Sequence, residues 1–326
     1  QLPVVYHERY NVSFFGLEKL HPFDSGKFRK VIATLQRQGL VRKEQLVQAP
    51  EVSREALADV HSEVYLHEMH TSVLRIVQVT ELPALILLPN FLLQWCVVTP
   101  MKFHVGGTML AAALAIERGW AINVGGGMHH AHHSGGGGWC PFDDVFLAVR
   151  RLRACGVVKH VLYVDLDVHQ GNGVERDKLH FKDDDFHIVD VYNSVAYPLD
   201  EEAKAAIDID VPLRKGCKDE EYLQALRTAL ETASQRFQHI DLVFYNAGTD
   251  VLEGDPLGRM NISEAGILER DRMVWQYALD TAKAPIVMTL SGGYSPQSAD
   301  VIAKSLAALI TEFKLTSLPP ISTPAA

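Results

Sequence analysis

The chain has 326 residues, 47% of them hydrophobic and 22% charged, an ordinary globular composition with enough length for one large α/β domain. A net charge of −9 and a pI near 5.9 argue against direct nucleic-acid binding, which leaves a basic footprint. No apolar run can cross a bilayer, because the longest, around Leu82 to Val98, is broken by Pro83, Pro89, Asn90 and Gln94.

The start at Gln1 shows no secretory signal pattern. In chain order the hydrophobic pattern predicts a helix over residues 108–118 and a strand over 121–124. A helix over 143–154 and strands over 161–165 and 187–191 follow. A helix over 219–237 comes next, where Tyr222, Leu223, Leu226, Leu230 and Ala233 keep a near-3.6 period. The remaining elements are a strand over 241–246, a helix over 263–281, a strand over 285–290 and a helix over 297–313. Strands alternating with helices predict a central parallel sheet with helices on both faces. No linker or internal repeat divides the chain, so residues 1–315 read as one domain. Residues 316–326, with Pro319, Pro320 and Pro324, read as a disordered tail. Cys96, Cys140, Cys155 and Cys217 form no C-x-x-C pair, which fits thiols in a reducing compartment.

The polar motifs fall at strand ends. Gly125-Gly126-Gly127-Met128-His129-His130 follows the first strand, and Asp167-Val168-His169 the second. Asp190-Val191-Tyr192-Asn193 ends the third. Asn246-Ala247-Gly248-Thr249-Asp250 follows the fourth, and Ser291-Gly292-Gly293-Tyr294 the fifth. Sites in open α/β sheets form at these carboxyl ends, so five motifs are expected to meet in one pocket.

Alternation along a strand puts Asp165, Asp167 and His169 on one side. Asp167 and His169 are metal-ligand candidates, and Asp250 is the third. A lone strand-end or turn Asp more often caps its turn; the flanking glycines and the shared location favour a ligand. Two carboxylates and an imidazole suit Zn²⁺ without excluding other first-row ions. Three protein ligands leave one position open, the mark of a catalytic metal.

His129 and His130, in a loop too rich in glycine to be a packing element, are candidates for moving protons beside that metal. The bland alternative is loop polarity or adventitious metal binding. Asp165 and Asn172 can each orient an imidazole, and the ring held by an amide should have the lower pKa. Tyr294 on a mobile Gly292-Gly293 hinge can swing its hydroxyl onto a substrate carbonyl, or it is a rim aromatic. Trp139 and Cys140 line a pocket or anchor the core. His132 and His133 read as solvent-facing.

With these residues in place the chain resembles the zinc-dependent histone deacetylases, which share an arginase-like α/β fold, and within them the class IV branch. The resemblance runs from about Val4 to Phe313. It is carried by Tyr10-Asn11, the run from Gly16 to Asp24, the run from Leu88 to Leu92, the run from Glu117 to Gly127, the run from Tyr245 to Asp250, and Ser291-Gly292-Gly293-Tyr294. It implies that residues 1–315 are a deacetylase-like catalytic domain and that Asp167, His169 and Asp250 hold Zn²⁺. His129 and His130 become the tandem catalytic histidines, with His130 the general base and acid. Asp165 becomes the partner of His129, and Asn172 that of His130. Tyr294 becomes the transition-state tyrosine. Trp139 and Tyr197 take the place of the aromatic walls of the acyl tunnel, beside Gly138, Gly292 and Gly293. The family's structural K⁺ would take backbone carbonyls of Asp165, Asp167 and His169. Trp139 where the family usually has Phe, His132-His133-Ser134 and Asp143 depart from the pattern and bear on acyl-chain preference.

The resemblance implies zinc-dependent hydrolysis of N6-acyl-lysine in a protein or peptide substrate, with long fatty acyl groups preferred over acetyl. Hydroxamate-type compounds would inhibit it. Deacetylation of acetyl-lysine, as on histones, or of acetylpolyamines is the alternative. A binuclear Mn ureohydrolase, for which Asp255 is the nearby extra carboxylate, and a non-catalytic acyl-lysine scaffold rank lower. The expected setting is intracellular, in the nucleus, the cytoplasm or both.

Overall fold

A computed structural model describes residues 1–12, 24 and 26–316. Most of the Gly16–Asp24 motif and the tail from residue 317 lie outside these residues. The fold is one α/β domain built on an eight-stranded sheet, β1 (Val4–Tyr6), β2 (Val47–Gln48), β3 (Trp120–Asn123), β4 (Val161–Asp165), β5 (Phe186–Asn193), β6 (Ile209–Leu213), β7 (Leu242–Asn246) and β8 (Ile286–Thr289). The order is β2-β1-β3-β8-β7-β4-β5-β6, and every pairing is parallel. Parallel strands need crossovers, which here include the helices Asp144–Ala154, Asn172–Phe181, Asp219–Arg236 and Glu264–Gln276. The central strands β3, β4, β7 and β8 are buried along their whole length, as sheets covered by helices require.

The five strands that carry the motifs stand side by side. After β3 the chain leaves two positions open and builds β4, β5 and β6 outward; β7 and β8 later fill the gap. The carboxyl ends of β3, β8, β7, β4 and β5 therefore lie next to one another at the point where the strand order reverses, and such points form clefts.

Several elements differ from the sequence expectation. The helix expected over 108–118 begins a full two turns earlier, spanning Thr99–Arg118, and continues directly from a π-helical stretch over Gln94–Val98. The helix expected over 263–281 is α-helical only over Glu264–Gln276 and widens to a π-turn over Tyr277–Ala282. The strand β6 has an alternating, half-exposed pattern and contains Pro212, as suits a sheet edge.

Candidate active site

β3 delivers the glycine loop. Gly127 has φ +76°, and a Cβ there would stand 2.2 Å from Asn246 Oδ1, so only glycine lets this loop lie against β7. The buried Asp144, at the start of its helix, fixes the loop from the other side. Its Oδ2 accepts from Gly127 N at 2.9 Å and its Oδ1 from Met128 N at 2.7 Å, while Thr108 Oγ1 donates to the same carboxylate. His129 and His130 are thereby set side by side, with ring centroids 4.1 Å apart.

β4 ends at Asp165, and the chain bends beyond it. The one-sided arrangement of Asp165, Asp167 and His169 expected from alternation stops there, because alternation holds only while the backbone stays extended. Asp165 turns to the histidine loop: its Oδ2 lies 2.8 Å from His129 Nδ1 and also accepts from Tyr163 Oη at 2.8 Å, while its Oδ1 accepts from Asn246 Nδ2 at 3.0 Å. Asp167 and His169 turn toward Asp250 at the end of β7. His169 Nδ1 lies 3.0 Å from Asp167 Oδ1 and 3.1 Å from Asp250 Oδ2.

Among the described residues, Asp167, His169 and Asp250 form a buried group whose donor atoms all lie within 4.8 Å of one another. Three features fit it to a divalent cation. Asp250 Oδ2 is buried and meets no well-aligned hydrogen-bond donor, only His169 Nδ1 at 3.1 Å, whereas Asp250 Oδ1 already accepts from Val168 N at 2.9 Å. Asp167 Oδ2 is held by Ser291 Oγ and Gly292 N, each at 2.9 Å. A Cβ on Gly292 would stand 2.1 Å from Asp250 Oδ2 and 2.4 Å from Asp167 Oδ2, so the cradle exists only because residue 292 is glycine. Burial works against a charge on His169, but the two carboxylates outweigh it and raise its pKa to about 10. Asp250 is pushed up to about 7 by burial and by Asp167. The group thus carries surplus negative charge, which a cation would neutralise in place of a proton. Two carboxylates and one imidazole are a donor set that zinc accepts.

The imidazole pair is electrostatically split. Burial lowers the pKa of His129, but Asp165 and Asp167 overcome this and raise it to about 9. His130 is driven well below its ordinary value by burial and by the neighbouring His129 and His169. Its Nδ1 lies 2.8 Å from Asn172 Oδ1. Asn172 Nδ2 donates to Asp200 Oδ2 at 3.1 Å, and Asp200 is gripped by Arg176 Nε at 2.6 Å and Nη2 at 2.7 Å. The amide oxygen must therefore face the ring, which puts the proton on His130 Nδ1 and leaves Nε2 as the acceptor.

β8 delivers Ser291-Gly292-Gly293-Tyr294. The hinge expected to be mobile is clamped. The buried Lys27 donates through Nζ to the carbonyls of Ser291, of Gly292 at 2.9 Å and of Gly293 at 3.4 Å. Thr249 N donates to Gly292 O at 3.0 Å. Burial lowers the Lys27 pKa to about 8 against the pull of Asp250 and Asp167. Asp255 Oδ2 accepts from Tyr294 N at 2.7 Å and Ser295 N at 3.0 Å, and its Oδ1 from Leu257 N and Gly258 N at 3.0 Å. Both oxygens of Asp255 are thus engaged in shaping the loops around Gly258 and Tyr294. The Tyr294 ring stands edge-on to His169 with centroids 6.2 Å apart. Burial and the carboxylates of Asp167 and Asp250 push its phenol well above its ordinary pKa, so the hydroxyl keeps its proton.

Most of these groups line two adjoining spaces, which share His130, Gly138 and Tyr294. The inner one, about 490 Å³, is bounded by His129, His130, Gly138, Asp167, Gly292 and Tyr294 and continues onto Phe28, Met101, Met128, Trp139 and Cys140. The outer one, the mouth, includes His130, His169 and Tyr197. The Tyr197 ring meets His130 edge-on at 4.9 Å. Trp139 is 6% exposed and faces this space rather than solvent. His132 and His133 are half-buried, not solvent-facing: His133 N donates to Asp177 Oδ1 at 2.7 Å, its Nδ1 lies 2.6 Å from Val60 O, and His61 Nδ1 lies 3.0 Å from His132 O.

Sequence reasoning missed Asp144, Lys27, Asp200 and Arg176. Each acts on residues 16 or more positions away in the chain, so no local pattern announces it.

The model of the histone deacetylase domain matches residues 21–310. The chain belongs to the histone deacetylase family. Histone deacetylase 2 of Arabidopsis thaliana is 44% identical over 310 residues, covering 94% of this chain and 78% of that protein. Two solved structures share the fold. The HDA15 HD domain has a TM-score of 0.77 at 23% identity, covering 99% of this chain and 91% of that one. An HDAC homologue complexed with SAHA has a TM-score of 0.72 at 21% identity, covering 98% and 85%. This family typically uses zinc, in keeping with the buried group of Asp167, His169 and Asp250.

Proposed function

We propose that this histone deacetylase family member is a zinc-dependent lysine deacylase of the class IV branch, cleaving the amide bond of N6-acyl-lysine in proteins or peptides. One observation carries the reading: a buried cation-binding trio stands, through Asp167, at a cavity that two imidazoles with oppositely shifted pKa values and a protonated tyrosine also line. Zinc held by Asp167, His169 and Asp250 would polarise the acyl carbonyl and acidify a water. His130, neutral and with Nε2 open, takes a proton from the attacking water and later returns it to the departing lysine amine. His129, kept cationic by Asp165, places positive charge beside the developing oxyanion. The Tyr294 hydroxyl donates a hydrogen bond to that oxyanion.

Long acyl chains are preferred over acetyl, since the space beyond the trio continues onto the apolar side chains of Phe28, Met101 and Met128. Hydroxamates such as SAHA should inhibit, as anionic ligands suited to the trio. The expected setting is the nucleus or cytoplasm. Among the described residues no helix is long and apolar enough to cross a membrane. The deciding experiment compares acetyl-, octanoyl- and myristoyl-lysine versions of one peptide with zinc-loaded protein. The expected result is kcat/KM rising with chain length. Acetyl as the best substrate overturns the chain-length preference. Tight binding of all three without cleavage overturns the deacylase and leaves an acyl-lysine scaffold.

A further inference from the structure

The mouth of the cavity carries two opposite charges on two separate loops. Glu81 follows the helix Val73–Thr80, and its Oε1 accepts from Gly138 N at 3.1 Å. Arg259 comes from the loop after Asp250. Both line the outer space of about 750 Å³ with His130, His169, Tyr197 and Tyr294.

Arg259 has φ +55°, a conformation that favours glycine. Among the described residues six other side-chain-bearing positions share positive φ. Glu81, Lys182 and Lys283 end helices in this conformation, as is usual there, and Lys314 lies just past the last helix. Trp139, Leu199 and Arg259 cap no helix, and two of them line the site. Trp139 lines the inner cavity, Leu199 follows Tyr197 by two residues, and Arg259 lines the mouth. Such outliers point to function when the surrounding structure enforces them. The backbone around Arg259 is enforced: Gly216 N donates to Arg259 O at 2.9 Å, and Asn261 N to Cys217 O at 2.9 Å. The residue is exposed, and among the described residues no carboxylate pairs with its guanidinium. A planar fork of donors presented from a fixed backbone suits a carboxylate.

We infer that Arg259 is a specificity-determining residue that selects acyl-lysine substrates with an acidic side chain flanking the modified lysine. Glu81, on the other loop of the mouth, repels an acid from its own side, so only one flank profits. The same arginine disfavours a polyamine, whose chain is cationic. The inference rests on the deacylase reading.

The test uses one peptide with the acyl-lysine in place and Glu, Gln or Lys at each neighbouring position in turn. It is read as kcat/KM in the zinc-loaded enzyme and as dissociation constants in a Tyr294→Phe background. The wild type should favour Glu over Gln at one flank by about fivefold, the upper range for an exposed ion pair, and less at high salt. Arg259→Gly, which relieves the backbone conformation and so should fold at least as well, should bring that ratio to one. Arg259→Lys should keep part of it. An unchanged Glu-to-Gln ratio in Arg259→Gly overturns the inference. Cleavage without any flank preference overturns it while leaving the deacylase standing. The predicted order in binding, with no cleavage in the wild type, supports it and overturns the deacylase.

Discussion

Asn172 takes its orientation from Asp200, and through it His130 takes its tautomer. An amide in this place orients the ring without stabilising its charged form. Asn172→Asp would add a carboxylate beside His130, favour the imidazolium and raise its pKa. A general base must be neutral to act, so the acid limb of the kcat/KM–pH profile should move to higher pH by about one unit or more. An acid limb that stays put would place the base elsewhere. Tyr294→Phe should lower kcat roughly 10²- to 10³-fold, as loss of one oxyanion donor does, with zinc content by metal analysis unchanged. A wild-type rate would remove the tyrosine from the chemistry. At this scale the His pair, Asp165 and Asn172 were legible in the sequence because glycines and strand ends mark them. Asp200, Arg176, Asp144 and Lys27 were not, since their partners are distant in the chain.

The loops after β3, β4, β7 and β8 work because glycines let polar groups approach. Gly292 is the case that bears on the ligand carboxylates, with Asp250 Oδ2 and Asp167 Oδ2 in the place of its absent Cβ. Gly292→Ala should push the two carboxylates apart. Zinc affinity by competition titration should fall by at least tenfold, with stability lower by roughly 1–3 kcal/mol. Wild-type zinc affinity in that variant would show that the cradle is looser than its geometry. The long helices were legible from their 3.6 period. The helix Asn172–Phe181 was missed because its buried face includes Glu175 and Asp177, polar residues that hide the apolar stripe. The edge strands β2 and β6 were missed because they are short or half-exposed and lack a continuous apolar run.

Buried Asp167 and Asp250 tie β4, β7 and β8 together at the cleft, so metal binding and folding are linked. With zinc a hundredfold above its dissociation constant, the bound ion contributes about 2.7 kcal/mol. Chelation should lower Tm by roughly 4 °C for a chain of 326 residues, and added zinc should restore it. A Tm indifferent to chelator would separate the metal from the fold.

The sequence by itself determined the α/β class, the five central strands and the strand-end placement of the motifs, because apolar periodicity and glycine turns are local signals. Only the tertiary structure decided that β7 and β8 enter between β3 and β4, which brings Asp250 and Tyr294 to Asp167 and His169. It also decided which carboxylates face each ring. Both depend on strand order and on contacts between residues far apart in the chain, from His129 with Asp165 to Ser291 with Asp167, and no local pattern fixes their geometry.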